Sequence, residues 1–268
     1  MNRKIQMGIA LAIMVILVSL IVFVHNDKSK IHDLPSILAS GRLSVVTDSS
    51  SIGFSIKGDS VSGFQYEIVK AFADTLGLEL VISKKNDLKA CMDGLKSGEY
   101  AIIANFMPIT TEWKNYAAFT DPFFISRQFL VQPINKDSNP SIKIIKLADL
   151  ADKTIYIPAN SPFEMRIKHI SDEIANPINV VEMKDESPEQ LVRLVALGKI
   201  KYTICDEQFA QKLKKLYPNI DISLPISFEQ QQAWAVQIKS PKLLNELNDF
   251  LTDFVGSTAY WKIYKKYY

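Results

Sequence analysis

The feature that most limits how this chain can fold is an alternation of short β-branched runs with amphipathic segments. Residues 43–47 suit a buried strand, and the apolar side chains Phe64, Ile68 and Phe72 then recur at helical spacing. The alternation continues through two more strands, which predicts a parallel sheet covered by helices. The predicted elements of this half are strands 43–47, 78–82 and 100–106 and helices 63–77 and 88–95.

A second alternation of the same kind begins at residue 154. Two such units in one chain indicate an α/β fold with two lobes, each built on its own sheet. The predicted elements of this half are strands 154–157, 179–183 and 201–205 and helices 161–170, 188–197 and 207–216.

Extended stretches at residues 129–135 and 233–236 connect the two units, and an amphipathic helix over 243–254 follows. Two crossings between lobes form a hinge, which permits closure around a ligand. The expected division is lobe 1 over residues 37–131 plus 232–268 and lobe 2 over residues 132–231, with the hinge crossings at the ends of lobe 2.

Residues 1–36 are predicted to be a signal anchor and stalk. Arg3 and Lys4 precede an apolar run over 7–24, which at about 1.5 Å per residue nearly spans a hydrocarbon core of about 30 Å. Positive charge stays on the cytoplasmic side, so the rest of the chain is expected in the periplasm. No small-x-small cleavage pattern and no lipid-accepting cysteine follows the run, which favours an uncleaved inner-membrane anchor with a stalk over 25–36. The alternative is a cleaved signal peptide and a soluble periplasmic protein.

Composition argues against a nucleic-acid partner and a metal cofactor. The net charge is +2, whereas phosphate binding needs a concentrated basic face. His25, His32 and His169 lack metal-ligand spacing, so no cofactor is predicted. Cys91 and Cys205 lie in apolar or helical contexts, which predicts two free buried thiols, although an exported chain also permits a disulfide.

In open α/β sheets, ligands bind beyond the carboxyl ends of the strands and near helix N-termini. Here the strand ends fall at residues 49–54, 105–110 and 160–161 and at Asp206. Because these points belong to both lobes, a cleft between the lobes is the predicted binding site.

Several side chains at these points have both a binding and a structural interpretation. Asn160 and Ser161 lie at a helix start, where N–H groups favour a carboxylate, although capping is the commoner role of these residues. Asp206 follows an apolar strand, where it holds a ligand ammonium or caps the next helix. Phe54 and Trp113 are candidates to line the cleft, although large aromatics are more often core residues.

Two stretches resemble the bacterial extracellular solute-binding proteins of family 3. Residues 63–77 read GFQYEIVKAFADTLG, similar to the family's helix signature, and residues 109–123 end in FTDPF, similar to its FSDPY-like run. Residues 63–72 and 232–236 look closest to the non-catalytic binding domain of the membrane-bound lytic transglycosylases F. The resemblance covers the chain from about residue 38. It implies a periplasmic-binding-protein-like fold, in which two mostly parallel sheets flanked by helices are joined by two hinge strands.

The resemblance also implies ligand-binding residues for an amino acid or related small zwitterion. Asp206 matches the acidic position that holds the ligand amino group, and Asn160 and Ser161 match the helix start that helps hold its carboxylate. The loop that supplies further contacts matches Asn105, Phe106, Met107 and Pro108.

Two positions depart from the family pattern. Trp113 stands where an arginine usually clamps the ligand carboxylate, and residues 49–52 replace the usual aromatic and proline, although Phe54 remains. A short peptide, a muropeptide fragment or a ligand without a free carboxylate is therefore an alternative to an amino acid.

The sequence predicts a binding protein and no enzyme. No glutamate in a lysozyme-like context and no Ser-His-Asp or Cys-His order is present. The first hypothesis is delivery of a solute to a membrane transporter. The second is a sensing module that regulates a partner such as a cell-wall enzyme.

Overall fold

The computed structural model describes residues 30–134 and 143–268. The predicted anchor over 7–24 and residues 25–29 of the predicted stalk lie outside these ranges. Within them, no helix combines the length and the apolar character needed to cross a membrane.

The helices and strands follow the predicted alternation, with additional short elements. The first part of the chain contains α1 (Leu34–Ser40), β1 (Arg42–Thr47), β2 (Ser55–Lys57), β3 (Ser60–Ser62), α2 (Phe64–Thr75), β4 (Glu79–Lys84), α3 (Leu88–Ser97), β5 (Ile102–Pro108), α4 (Thr111–Lys114), β6 (Ala118–Phe119) and β7 (Phe124–Ser126). The remainder contains β8 (Gln128–Pro133), a 3-10 turn (Leu147–Leu150), β9 (Thr154–Pro158), α5 (Phe163–Ile174), β10 (Asn179–Met183), α6 (Pro188–Ala196), β11 (Thr203–Asp206), α7 (Glu207–Leu216), β12 (Ile220–Asp221), β13 (Gln230–Val236), α8 (Pro241–Phe254) and α9 (Thr258–Tyr267).

The first sheet has the strand order β4-β1-β5-β13-β6, with β7 also paired to β13. Strands β4, β1 and β5 are parallel, as the strand–helix alternation requires. Strand β13 returns late in the chain and runs antiparallel to β5, with Val236 opposite Ile102. The late return of β13 therefore ties the end of the chain to the middle of this sheet.

The second sheet has the order β10-β9-β11-β8-β12. Strands β10, β9 and β11 are parallel, and β8 and β12 extend this parallel core as antiparallel strands. Two sheets, each with a parallel core and flanking helices, confirm the predicted two-lobed α/β fold.

The chain passes from one sheet to the other at Arg127, between the end of β7 and the start of β8. It returns after Ile226, whose N–H donates to the carbonyl of Gln128, and rejoins the first sheet at β13. All of β8 pairs within the second sheet, although the expected lobe boundary at residue 131 falls inside this strand. The assignment of residues to lobes stays a prediction.

The residues just before β1 contact the first lobe. The backbone N–H of His32 donates to Gln237 Oε1 at 2.7 Å, and Asp33 Oδ1 accepts from the N–H of Leu243 at 2.8 Å. Ile37 on α1 is 1% exposed. Residues 31–36, which were expected to belong to a polar stalk, are therefore attached to the folded body.

Both cysteines are buried and neither forms a disulfide, which confirms the prediction. Burial raises the pKa of the Cys91 thiol to about 12 and raises that of Cys205 well above its usual value. Both thiols therefore stay protonated near neutral pH and act as packing groups.

The start of α2 depends on a close approach between two glycines. The backbone carbonyls of Ile52 and Gly53 accept from the first N–H groups of α2, at Gln65 and Tyr66. Gly63, which precedes the helix, has a φ of +151°, and a Cβ there would lie 2.0 Å from the Gly53 carbonyl oxygen. Only glycine lets the loop after β1 cap this helix.

Gly63→Ala is therefore expected to lower the free energy of unfolding by about 3 kcal/mol or more, because the backbone of the loop must move. The matched control is Gly58→Ala, where φ is +58° but no atom lies within 4 Å of the added Cβ. That variant should lose only about 1–2 kcal/mol. Urea denaturation of both variants measures the difference, and equal losses would contradict the proposed contact.

Candidate functional site

A cavity of about 140 Å³ lies between the two sheets, beyond the carboxyl ends of their parallel strands. Asp48 after β1 and Asn105 on β5 reach it from the first sheet, and Pro158 and Asp206 reach it from the second. At about 10–15 Å³ for each water position, the cavity has room for roughly ten small groups. A ligand of about the size of an amino acid fits this space.

Asp206, at the end of β11, lies in the wall of the cavity. It occupies the N-cap position of α7, but its side chain accepts no capping hydrogen bond. Instead, Asp206 Oδ1 faces Gln232 Nε2 at 3.5 Å, and the side chain lines the cavity. The capping interpretation of this residue is therefore wrong.

Burial raises the pKa of Asp206 to about 7. The Gln232 hydrogen bond acts in the opposite direction, and the nearby Asp48 carboxylate adds to the increase. A cation placed beside Asp206 would replace the solvation that burial has removed.

Asp48 is a second acidic group in the cavity wall, and it was not among the predicted site residues. Burial raises its pKa, the Ser50 hydroxyl lowers it, and the charge of Glu189 raises it further. A Cβ on Gly53 would lie 1.9 Å from Asp48 Oδ1, so the loop holds this carboxylate against a glycine. Its position directly after the first predicted strand is the feature of the sequence that could have identified it as a site residue.

Three buried oxygen atoms in the cavity wall have no hydrogen-bond partner: Gln128 Oε1, Gln232 Oε1 and Ser161 Oγ. Gln128 and Gln232 are each 1% exposed. Because buried polar atoms are almost always hydrogen-bonded, such oxygens facing a cavity are available to accept from a molecule bound there, including water. The predicted role of Ser161 as a helix cap is also not observed, since α5 begins after Pro162 without a side-chain cap.

The residues predicted to lie in the loop over 105–110 instead belong largely to β5, which extends to Pro108 because it pairs with β13. Asn105, Phe106 and Met107 all line the cavity. Asn105 Oδ1 accepts from the N–H of Asp48 at 2.8 Å, which ties β5 to the residue that follows β1. The Phe106 ring stacks on Phe124 with centroids 4.1 Å apart and forms an apolar wall.

Three predicted residues lie outside the cavity lining. Phe54 is nearly buried and packs edge-on against Tyr66 at 5.2 Å, as a core aromatic does. Trp113 packs beside Tyr116 at 6.1 Å in a neighbouring depression. Asn160 contacts the other lobe instead of the cavity, because its Nδ2 donates to Asp87 Oδ2 at 2.8 Å.

The Asn160 bond is one of several direct contacts across the mouth of the cleft. Asn86 Nδ2 donates to the carbonyl of Asp185 at 2.9 Å, and the N–H of Ser51 donates to Glu189 Oε2 at 2.9 Å. These bonds join groups from both sheets, so the structure represents a closed form of the two lobes.

Residues 43–268 match the family of bacterial extracellular solute-binding proteins, family 3. The chain belongs to this family. The resemblance carried by residues 63–77 and 109–123 is thereby confirmed, and the protein has the fold of a solute-binding protein.

Relatives with curated descriptions include a membrane-bound lytic murein transglycosylase F of Desulfosudis oleivorans, 26% identical over the whole chain and 58% of that protein. The chain spans about half the length of the curated relatives it matches. An ancestral arginine-binding protein solved with bound glutamine is 25% identical, with a TM-score of 0.71 over 85% of this chain and 98% of that one. A solute receptor for L-cysteine of Neisseria gonorrhoeae has a TM-score of 0.76 at 18% identity over 88% and 93% of the two chains.

The raised pKa of Asp206 predicts a pH-dependent stability. Between about pH 4 and 7 the native carboxyl keeps its proton while the unfolded one has lost it, so stability falls as pH rises. The shift from 3.8 to about 7 corresponds to a loss on the order of 4 kcal/mol above pH 7. Asp206→Asn, which keeps an oxygen for Gln232, should therefore stabilise the ligand-free protein at pH 8 and converge with the wild type near pH 4.

The control for this measurement is Asp221→Asn. Burial raises the pKa of Asp221, but hydrogen bonds from Ser223 and Lys143 outweigh it and lower the pKa overall. Removing that charge should destabilise the protein at pH 8. Urea titrations at several pH values test both variants, and a loss of stability in Asp206→Asn at pH 8 would refute the assignment of a strained carboxylate.

Proposed function

We propose that this protein is an extracytoplasmic, non-enzymatic solute-binding protein that captures an amino acid or related small zwitterion between its lobes and delivers it to a membrane transporter. The observation that carries the proposal is the partly buried Asp206 carboxylate, which caps no helix, in a cavity whose wall contains buried oxygens without a hydrogen-bond partner. A carboxylate in such a place binds an ammonium through a charge-assisted hydrogen bond.

Several features support binding without turnover. The described cavity lining has no histidine that could activate a serine or cysteine nucleophile. The bound glutamine of the ancestral arginine-binding protein supports a ligand of amino-acid size. The family match supports capture of a solute as the basic activity.

A sensing module for cell-wall fragments or peptides is the second candidate. The curated relatives are named membrane-bound lytic murein transglycosylases, and this chain matches only about half of each. The predicted anchor also suits a module that stays at the membrane beside a partner enzyme. In this alternative, closure of the lobes regulates the partner and no solute is handed on.

Ligand-induced thermal stabilisation of the full chain in detergent tests the capture of a solute. A library of amino acids, short peptides, small amines and muropeptides should contain at least one member that raises Tm by several degrees. Ligand at about 100 times Kd adds roughly 2.7 kcal/mol of stability. A library without any stabilising member would count against the proposal.

The role of Asp206 is tested by isothermal titration with the stabilising ligand. Asp206→Asn should weaken binding by about 2 kcal/mol or more, because the ligand ammonium loses a charged acceptor. Asp221→Asn, outside the cavity lining, should bind as the wild type does. An unchanged affinity in Asp206→Asn would remove this residue from the site.

Two further measurements separate the alternatives. An intact N-terminal segment in the mature protein, seen by mass spectrometry of membrane fractions, would favour the sensing module. A mature N-terminus beyond residue 24 would favour a released shuttle. Purified cell wall should show no fragments above background on incubation with the protein, and their appearance would establish an enzyme.

A further inference from the structure

Within the proposed function, the described part of the site differs from one built for a zwitterion, because it contains two carboxylates that accept from a cation and no basic side chain for a ligand carboxylate. Asp48 and Asp206 line the cavity from opposite sheets, and no lysine, arginine or histidine is among the described lining residues. A ligand carboxylate there would face two acidic side chains, with no basic side chain beside it, in a poorly solvated space.

Arg127 and Lys212 lie close to lining residues, but neither is part of the described cavity lining. Arg127 is engaged by both carboxylate oxygens of Glu207, with distances of 3.1 and 3.2 Å. Lys212 Nζ lies 3.5 Å from Ser51 Oγ and 5.6 Å from the centre of the Tyr267 ring. Glu189, bound to the N–H of Ser51, adds a further negative charge. Trp113, at the family's arginine position, contributes no charge.

The buried oxygens without a hydrogen-bond partner also favour a cation over a carboxylate. Gln128 Oε1 and Gln232 Oε1 are acceptors, and Ser161 Oγ accepts or donates. The amide of Gln232 is oriented by Asp206, since its Nε2 faces the carboxylate and leaves Oε1 for another donor. An ammonium has three N–H donors and a guanidinium has five, whereas a carboxylate has none.

The remaining walls suit an alkyl chain. Phe106 and Phe124 stack on each other beside the acidic groups, and Tyr268 lies 5.9 Å from the Phe124 ring. An aliphatic chain of a few carbons fits against this surface while its charged end reaches Asp206.

We propose that the cleft selects a small aliphatic amine or guanidinium cation that carries no carboxylate, in preference to the corresponding amino acid. The preference rests on the proposed capture of a solute between the lobes. It follows from the placement of Asp48 and Asp206 around the oxygens of Gln128 and Gln232.

The test uses two ligand pairs that differ only in a carboxylate, agmatine against arginine and cadaverine against lysine. In isothermal titration of the full chain in detergent, at least one of the two amines should bind at least tenfold more tightly than its amino acid. Amino acids that bind as tightly as the amines, or more tightly, would overturn this preference and leave the proposed function standing. If neither ligand pair binds and no other library member binds, both the preference and the proposed function are overturned.

A variant checks the electrostatic origin of the preference. Asp206→Asn should weaken the bound amine at least tenfold and also reduce its advantage over the amino acid, because repulsion of the carboxylate falls. Asp221→Asn, on the second lobe but outside the cavity, should leave both affinities unchanged. An unaltered amine-to-amino-acid ratio in Asp206→Asn would show that the preference does not come from this charge.

Discussion

The position of the cleft depends on the pairing between the two segments that cross from one lobe to the other. Ser126 at the end of β7 lies opposite Gln230 of β13, and the Gln128 backbone bonds to Ile226 and to the Ser227 hydroxyl. These contacts hold the crossings side by side, as in a two-stranded ribbon. The same ribbon carries the side chains of Gln128 and Gln232 into the cavity, so the hinge and the binding site share their residues.

This arrangement places a carboxylate whose desolvation costs free energy where a bound cation can offset that cost. The Asp206 carboxylate is partly buried, no basic side chain is among the described residues that line its cavity, and burial raises its pKa to about 7. Strain of this kind persists only where the surrounding structure enforces it, and it is concentrated at functional sites. The stability of the ligand-free protein and its affinity for a cation are therefore opposed at this residue.

Direct hydrogen bonds between the lobes are a second feature of this structure. Asn160 contacts Asp87, Asn86 contacts Asp185, and the Ser51 backbone contacts Glu189 across the mouth of the cleft. Each of these bonds joins one lobe directly to the other, so together they stabilise the closed form. A ligand then shifts the balance between open and closed forms only by its own contacts inside the cavity. Asn160, predicted as a ligand contact, illustrates how a residue at a strand end can serve closure instead.

The amino-acid sequence by itself determined the two-lobed α/β class, because helical and strand periodicities are local patterns that burial on one face imposes. It also placed Asp206 at a strand end, whereas residues 105–107, predicted to end a strand and begin a loop, lie within β5. The hairpin of β2 and β3 and the aromatic helix α9 were not predicted, since three-residue strands and a short lysine-rich segment carry too weak a periodic signal. Only the tertiary structure decided which strand-end side chains face the cavity. Rotation of a side chain and the approach of a second lobe depend on contacts between residues far apart in the chain, and these brought Asp48, Gln128 and Gln232 to Asp206 while they turned Phe54 into the core.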